Sequence, residues 1–367
     1  MIYNNILVKN SEIMIKITLT NEMINRILAI EEYKGQTGSC KMPLSLTNKL
    51  RKSSKKKSSY ASTQIEGNPL TEEQADSAIE AKNRHFLKPE QEVRNYFAAL
   101  ELSENFLKEH KPFSLELILA LQKQVVFGES SEKTGIRGPM PPGVLFAVYD
   151  DKTHQPEYIP PMCDDILPLL NELINYVNNS DDHPLIKAAV VHYQMVTIHP
   201  FEDGNGRTAR IISDYVLDYY GYGFNQIGSL EEYFAYDVDE YYSSLQMNLP
   251  PLYYDGRDNP PHPEIWVNYF LRMVELHAKK VVELTRTSVK EQSAAAMTFL
   301  NAKEKDFLKY LEKHHVDTFT PTEMAAKLKV TNRTIINWCV NLVKNGFVRP
   351  NLVKRRVRSY TVTGFGG

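Results

Sequence analysis

Residues 199–210 read HPFEDGNGRTAR, and each residue type in that run has a use beside a phosphate. Gly204-Asn205-Gly206 lets backbone N–H groups converge at the start of a following helix, an arrangement that favours bound anions. Arg207 and Arg210 stand three apart, so both guanidinium groups leave one side of that helix's first turn. Arginine forks suit polyphosphate oxygens. Asp203 offers the hard oxygen that Mg²⁺ takes together with phosphates. His199, at the end of the preceding apolar helix, is the base of the run with a near-neutral pKa. The run describes a turn between two helices that could hold a polyphosphate and accept a proton next to it. His192 lies on the same helix and could share a face with His199, but no third metal ligand is in reach. It is read as a hydrogen-bonded core histidine and not as a zinc ligand.

These residues resemble the Fic family signature, HPFx[DE]GNGRxxR, at every defined position, and the upstream helix with Ala188, Ala189 and His192 fits as well. The resemblance covers the chain from about Lys41 to Thr285. It implies Mg²⁺-dependent transfer of AMP from ATP to a protein hydroxyl. In that scheme His199 takes the proton and Asp203 holds Mg²⁺. Gly204, Asn205 and Gly206 grip the phosphates, Arg207 the β-phosphate and Arg210 the γ-phosphate. Relatives that phosphorylate depart from GNGR, so AMP transfer is favoured over transfer of another nucleotide. Tyr241-Tyr242 with Leu245 resembles the family's adenine-side helix, with Tyr242 as the adenine contact and Asn248 a weaker one. A hairpin over 143–161 would be the target-docking flap, with Phe146 or Val148 clamping the target.

Residues 62–68 read STQIEGN and match the family's inhibitory pattern [ST]xxxE[GN] through Ser62, Glu66 and Gly67. Ser62 and Glu66 are one helical turn apart and share a face. The resemblance implies that Glu66 pairs with Arg210 and displaces the γ-phosphate, so the resting enzyme is mostly off. The plainer reading is a helix-end glutamate before a glycine cap. A further role would have Glu66 position a water that removes AMP.

The surrounding elements are mostly helical. Helices are expected at Leu19–Tyr33, Thr71–Asn83 behind a Thr71/Gln74 capping box, Pro89–Lys108 with Val93, Phe97, Leu100 and Leu102 inward, and Leu115–Phe127 capped by Ser114. Others are expected at Ile166–Asn178, Pro184–Ile198, Thr208–Tyr219, Tyr233–Asn248 and Glu264–Thr285. Gly35–Cys40 reads as a break, the basic run Lys49–Lys57 as a solvated helix face or linker, and the Ala-rich stretch Ser288–Met297 as a domain boundary. Val144–Tyr149 and Tyr158-Ile159 read as a hairpin turning at 150–153. The expected domains are a helical region 1–112 carrying the switch, a catalytic core 113–287 and a small unit 295–367.

That last unit reads as a winged helix-turn-helix. Helices at Glu304–Lys313, Thr322–Lys329 and Asn332–Asn345 precede a hairpin whose turn carries Lys354, Arg355, Arg356 and Arg358. Arg333 and Asn337 would face DNA if DNA is read; a protein-interaction or dimerisation module is the competing reading. The fold class is therefore mainly α, a Fic helical core with a small flap plus this C-terminal domain.

Across 367 residues, 43 basic and 45 acidic side chains balance to a net charge of −2. That excludes a globally basic nucleic-acid coat and leaves only local patches. Cys40, Cys163 and Cys339 show no disulfide or CxxC spacing. No signal peptide or membrane span is evident, so a cytoplasmic protein is expected; Met14 could be the true start. The expected partners are a target with a Ser, Thr or Tyr hydroxyl, the chain itself included, and DNA through the C-terminal unit; a homodimer is compatible. The rival function is a DNA-binding regulator whose site senses ATP. Intact His199 favours chemistry, because sensing needs no base.

Overall fold

The computed structural model describes residues 17–40, 42–82, 85–128, 133–144, 146–149, 156–247, 249 and 262–363. Met14, Leu145, the turn 150–153 and Asn248 lie outside them. The chain divides into two units, one running up to Lys34 and resuming over Leu50–Lys279, the other made of Gly35–Lys49 and the chain from Lys280 onward.

The first unit is built around α7 (Pro184–Ile198), which is buried on nearly every side. A helix that is apolar all round belongs in the middle of a core, and α7 packs against α8 (Asn205–Tyr219). Around this pair lie α4 (Lys88–Lys108), α5 (Leu115–Val125) and α6 (Cys163–Asn179). Along α4 the inward face is Val93, Tyr96, Ala99, Ser103 and Phe106. Of the four residues expected inward Val93 is buried, whereas Phe97, Leu100 and Leu102 are only half-buried. The helical phase set by Tyr96 decides this, since that side chain fills the centre.

Several boundaries differ from expectation for identifiable reasons. Helix α1 (Asn21–Ser39) continues through Gly35 and Gly38, because isolated glycines cost a helix only about 1 kcal/mol each. The basic run Lys49–Lys57, expected as a solvated helix face or linker, is part of α2 (Leu44–Ile65). Its lysines reach neighbouring acids: Lys55 to Glu104, Lys56 to Asp76 and Lys57 to Glu232. Helix α3 (Glu72–Glu80) starts from the Thr71/Gln74 capping box. The helix expected over 233–248 is two, α9 (Glu231–Tyr236) and α10 (Val238–Gln246). Asp237 interrupts them and caps α10 by accepting the Glu240 N–H at 2.9 Å, the usual preference of Asp for caps over helix interiors. The hairpin is short, β1 (Val148–Tyr149) pairing antiparallel with β2 (Pro156–Tyr158).

Helix α11 (Pro263–Thr298) runs through the expected boundary at Ser288–Met297. Alanine has the highest helix propensity, and three in a row carry the helix on. In the second unit α12 (Ala302–Lys313) follows, then β3 (Thr318–Phe319), α13 (Pro321–Leu328), α14 (Asn332–Lys344), β4 (Val348–Val353) and β5 (Arg356–Val362). The expected hairpin gains a third strand, giving an antiparallel sheet of order β3-β5-β4. Its core gathers Phe307, Leu311, Phe319, Ile335, Cys339 and Tyr360. Among the described residues no helix is long and apolar enough to cross a membrane.

Candidate active site

His199 terminates α7 in a left-handed conformation, φ 47° and ψ 59°. For a residue other than glycine this costs roughly 1–2 kcal/mol, and surrounding contacts hold it. Arg137, itself buried, donates from Nε to the His199 carbonyl at 2.9 Å and from a terminal nitrogen to the Pro161 carbonyl. Its own N–H donates to the Pro200 carbonyl at 2.8 Å. The His199 Nδ1 lies 3.2 Å from the Val196 carbonyl. A carbonyl only accepts, so Nδ1 carries the proton and Nε2 keeps its lone pair. Burial lowers the His199 pKa to about 4, with the Arg137 charge also disfavouring protonation. The ring is therefore a neutral base at physiological pH.

Gly204 then takes φ 81°, a region suited to glycine, and α8 begins at Asn205, three residues earlier than expected. The Asn205 side chain is spent on the turn: Oδ1 accepts the Phe201 N–H at 3.0 Å and Nδ2 donates to the Phe201 carbonyl at 2.9 Å. This changes the reading of Asn205 from a side-chain phosphate contact to a brace, which leaves its backbone N–H for an anion. The first-turn amides of α8 have no intrahelical acceptors. Beside them, Arg207 Nε, Thr208 Oγ1 and Arg210 Nη1 are buried and find no hydrogen-bond partner among the described residues. Three unpartnered buried polar groups on one helical turn call for an explanation, and an anion bound there would supply it.

Asp203 is held from two sides. Arg207 contacts Oδ1 at 2.7 Å and Lys133 contacts Oδ2 at 2.9 Å. Burial works to raise its pKa, but Arg207 and Lys133 outweigh that and keep the carboxyl below its ordinary value. Among the described residues no group of three His, Cys, Asp or Glu could hold a metal. Asp203 offers one carboxylate, which fits a Mg²⁺ completed by substrate phosphates and water.

Arg210 is 1% exposed and faces the end of α2. It donates from Nε to Ser62 Oγ at 2.8 Å, and from Nη2 to the Ser62 carbonyl at 3.0 Å and to Glu66 Oε1 at 2.6 Å. Glu66 follows the last turn of α2, which Gly67 closes at φ 81° with its N–H on the Gln64 carbonyl, so the glycine-cap reading also applies. The carboxylate lies over Gly206, where an added β-carbon would be 2.5 Å from Glu66 Oε1. The buried face of α2 is mostly small and polar, with Ser54, Ser58, Ser59, Ser62 and Thr63. Ser58 donates to Glu231 at 2.7 Å, and Tyr96 donates to the same carboxylate at 2.8 Å.

His192 is fully buried, its Nδ1 3.1 Å from Ser213 Oγ and its Nε2 2.8 Å from the Tyr241 hydroxyl. It is a satisfied core histidine. Tyr241 is buried and Tyr242 half-exposed beside it, their ring centroids 5.1 Å apart. Phe146 stands 6.0 Å from the His199 ring and stacks under Arg137 at 4.5 Å. Arg137 and Lys133 bond to this run and are not revealed by the motif. Their only signal in sequence is a pair of cations within the Gly/Pro-rich loop KTGIRGP, distant from the run they brace.

Residues 112–217 match the model of the Fic/DOC family. The protein adenylyltransferase fic-1 of Caenorhabditis briggsae is 26% identical over 169 residues, 43% of this chain and 31% of its own length. The protein adenylyltransferase Fic of Drosophila virilis is 26% identical over 203 residues, 54% of this chain and 40% of its own. The match thus spans less than half the length of these curated relatives. Among solved structures, a Fic family protein from Desulfovibrio desulfuricans superposes with a TM-score of 0.59 at 20% identity, covering 96% of this chain and 98% of its own. Fic-1 from Caenorhabditis elegans gives 0.56 at 21% identity over 73% of each chain. Such identities establish a shared fold. Over residues 112–217 the chain is similar to the Fic/DOC family.

Proposed function

We propose that this chain transfers AMP from ATP to a protein hydroxyl and that α2 restrains it. The observation that carries the reading is a neutral His199 next to an α8 N-terminus rich in unpartnered donors. The target hydroxyl oxygen attacks the α-phosphorus and its proton passes to His199 Nε2. A P–O ester forms, the bond from the α-phosphorus to the bridging oxygen breaks, and pyrophosphate leaves. Amides of α8 and Arg207 bind the leaving phosphates, and catalysis is mainly positioning and charge stabilisation. Asp203 would hold Mg²⁺, which would neutralise charge developing on those phosphates. Tyr242 borders the adenine side, and the short hairpin suits alignment of an extended target segment by strand addition. The curated relatives' names agree with this chemistry. A site that only senses ATP would need no neutral base at the end of α7.

Glu66 competes for Arg210 with the γ-phosphate, and its carboxylate over Gly206 occupies the same anion-binding surface. The serine-rich face of α2 buries little apolar area, and segments with few buried apolar contacts open most easily. That suits a restraint meant to be released. Incubating the Glu66→Gly variant with α-labelled ATP, Mg²⁺ and lysate should give a mass increment of one AMP on a Ser, Thr or Tyr, and His199→Ala should give none. Labelling that persists in His199→Ala would sink the assignment of the base. Equal labelling of wild type and Glu66→Gly would sink the restraint.

A further inference from the structure

Residues 301–363 carry 13 Lys and Arg against 5 Asp and Glu, while the whole chain has 43 against 45. The positive charge is thus concentrated in the second unit, and such asymmetry between parts of a chain is the electrostatic footprint of a polyanion partner. Two of the five acids are used locally, since Glu304 and Glu323 close capping boxes at the starts of α12 and α13.

Several of these cations are exposed on two elements of the unit, α14 and the β4–β5 hairpin. Arg333 and Asn337 are exposed and one turn apart on α14. Lys354 and Arg355 form the two-residue turn between β4 and β5, and Arg356 and Arg358 follow on β5. None of these five cations takes part in an ion pair among the described residues, in contrast to Lys55, Lys56 and Lys57 of the first unit. Lys354 and Arg355 sit at φ 48° and 64°. A two-residue turn of this kind favours Asn-Gly, so long cations there carry a conformational cost. Ile336 and Val340 share the exposed face of α14. Apolar side chains there match the thymine methyl groups that line a major groove.

We propose that the second unit binds duplex DNA, with α14 presenting Arg333 and Asn337 to base edges and the β4–β5 turn gripping phosphates. This goes beyond AMP transfer and does not depend on it. A helix fits the major groove, and cations at an adjoining turn reach the flanking backbone. The chain's net charge of −2 gives no general attraction to DNA, so binding must come from this patch.

The test uses the full-length His199→Ala chain and a fluorescent mixed-sequence duplex in an anisotropy titration over a salt series. Binding should weaken linearly on a log–log plot as salt rises. The double variant Lys354→Glu/Arg355→Glu should raise Kd at least tenfold and flatten the slope by about 2, near 0.9 for each lost phosphate contact. Arg333→Ala should weaken binding while changing the slope less than the turn variant does. An unchanged melting temperature in each variant shows that the fold is intact. No binding at about 50 mM salt, or equal affinity in the turn variant, would overturn the proposal. Polyglutamate competing as well as unlabelled duplex at equal charge would reassign the face to an acidic protein partner and overturn it too.

Discussion

The Glu66 carboxylate meets the buried Arg210 guanidinium at 2.6 Å, directly over Gly206. Each has a second tie to the same helix end: Ser62 takes two more Arg210 bonds, and Gly67 fixes the turn that presents Glu66. Burial works against the charge on Arg210, but Glu66 together with the hydroxyls of Tyr241, Tyr96 and Tyr242 outweighs it and holds the guanidinium protonated.

Removing Glu66 should therefore do two things at once. Glu66→Gly should raise AMP transfer by tenfold or more, and it should lower stability without nucleotide by about 1–3 kcal/mol, because a buried cation loses its partner. ATP should recover that loss by binding the freed Arg210, so the ATP-induced rise in melting temperature should be larger than in wild type. Ser62→Ala removes one hydrogen bond and keeps the carboxylate, so it should activate only a fewfold. Calorimetry with and without ATP, beside a transfer assay, checks both. A Glu66→Gly variant that gains activity with no added response to ATP would place the restraint elsewhere.

The pH dependence of transfer should follow His199. Its pKa is depressed to about 4, first by burial, so the base stays neutral until the pH falls close to that value. In the Glu66→Gly background the rate should be flat from about pH 6 upward on the acid side and decline only below about pH 5. An exposed histidine would already lose activity near its ordinary pKa of about 6.5. A pH–rate profile with a limb at 6.5 would show that His199 is not held in this environment during turnover.

Much of the site was legible because its chemistry is contiguous. One twelve-residue run carries His199, Asp203, Arg207 and Arg210 at spacings that a turn and a helix convert directly into proximity. Ser62 and Glu66 were legible through their resemblance to the family's inhibitory pattern, with helical spacing adding only that they share a face. Asn205 was not, because periodicity says nothing about a side chain folding back on its own turn to bond Phe201. Lys133 and Arg137 were not, because their roles depend on a loop reaching residues about 70 positions downstream. The serine-rich buried face of α2 was hidden for a related reason: Ser58 is buried only because Glu231 and its hydroxyl partners meet it. Helix existence was readable from apolar spacing, but the continuation of α11 and the break at Asp237 turn on propensity and capping.

Lys133 should compete with the metal. Its Nζ lies 2.9 Å from the Asp203 oxygen not taken by Arg207, where its charge would oppose an incoming cation. Lys133→Met should lower the Mg²⁺ concentration for half-maximal transfer, by roughly threefold to tenfold given the modest worth of partly exposed ion pairs. Asp203→Asn should raise that concentration sharply. A metal titration at saturating ATP reads both, and an unchanged requirement in Lys133→Met would mean that Lys133 does not occupy the metal's position.

Arg137 should act through His199. It holds the histidine carbonyl and the Pro161 carbonyl together, a fork that lysine cannot reproduce. Arg137→Ala and Arg137→Lys should both lower kcat by about tenfold or more with the KM for ATP nearly unchanged, since neither touches the phosphates. The lost Arg137 charge in the alanine variant should also move the acid limb of the pH profile upward, whereas the lysine variant should keep it low. Similar limbs in the two variants would reduce Arg137 to a packing role.

Asp218 provides a prediction of opposite sign. On α8 it accepts from Gln226 Nε2 at 3.2 Å, and burial raises its pKa to about 6 despite that bond. A folded-state pKa above the unfolded value of about 3.8 means that the native state binds the proton more tightly. The resulting stability is fully present below about pH 3.8 and is lost as pH rises through 6. At pH 7.5 the charged group costs about 1–2 kcal/mol, so Asp218→Asn, which keeps the shape and removes the charge, should raise the melting temperature by a few degrees. Near pH 4 the gain should vanish, because the wild-type carboxyl is already neutral there. Thermal melts of both proteins across pH 4–8 decide the matter: a constant difference would mean that the substitution acts through packing and not through this titration.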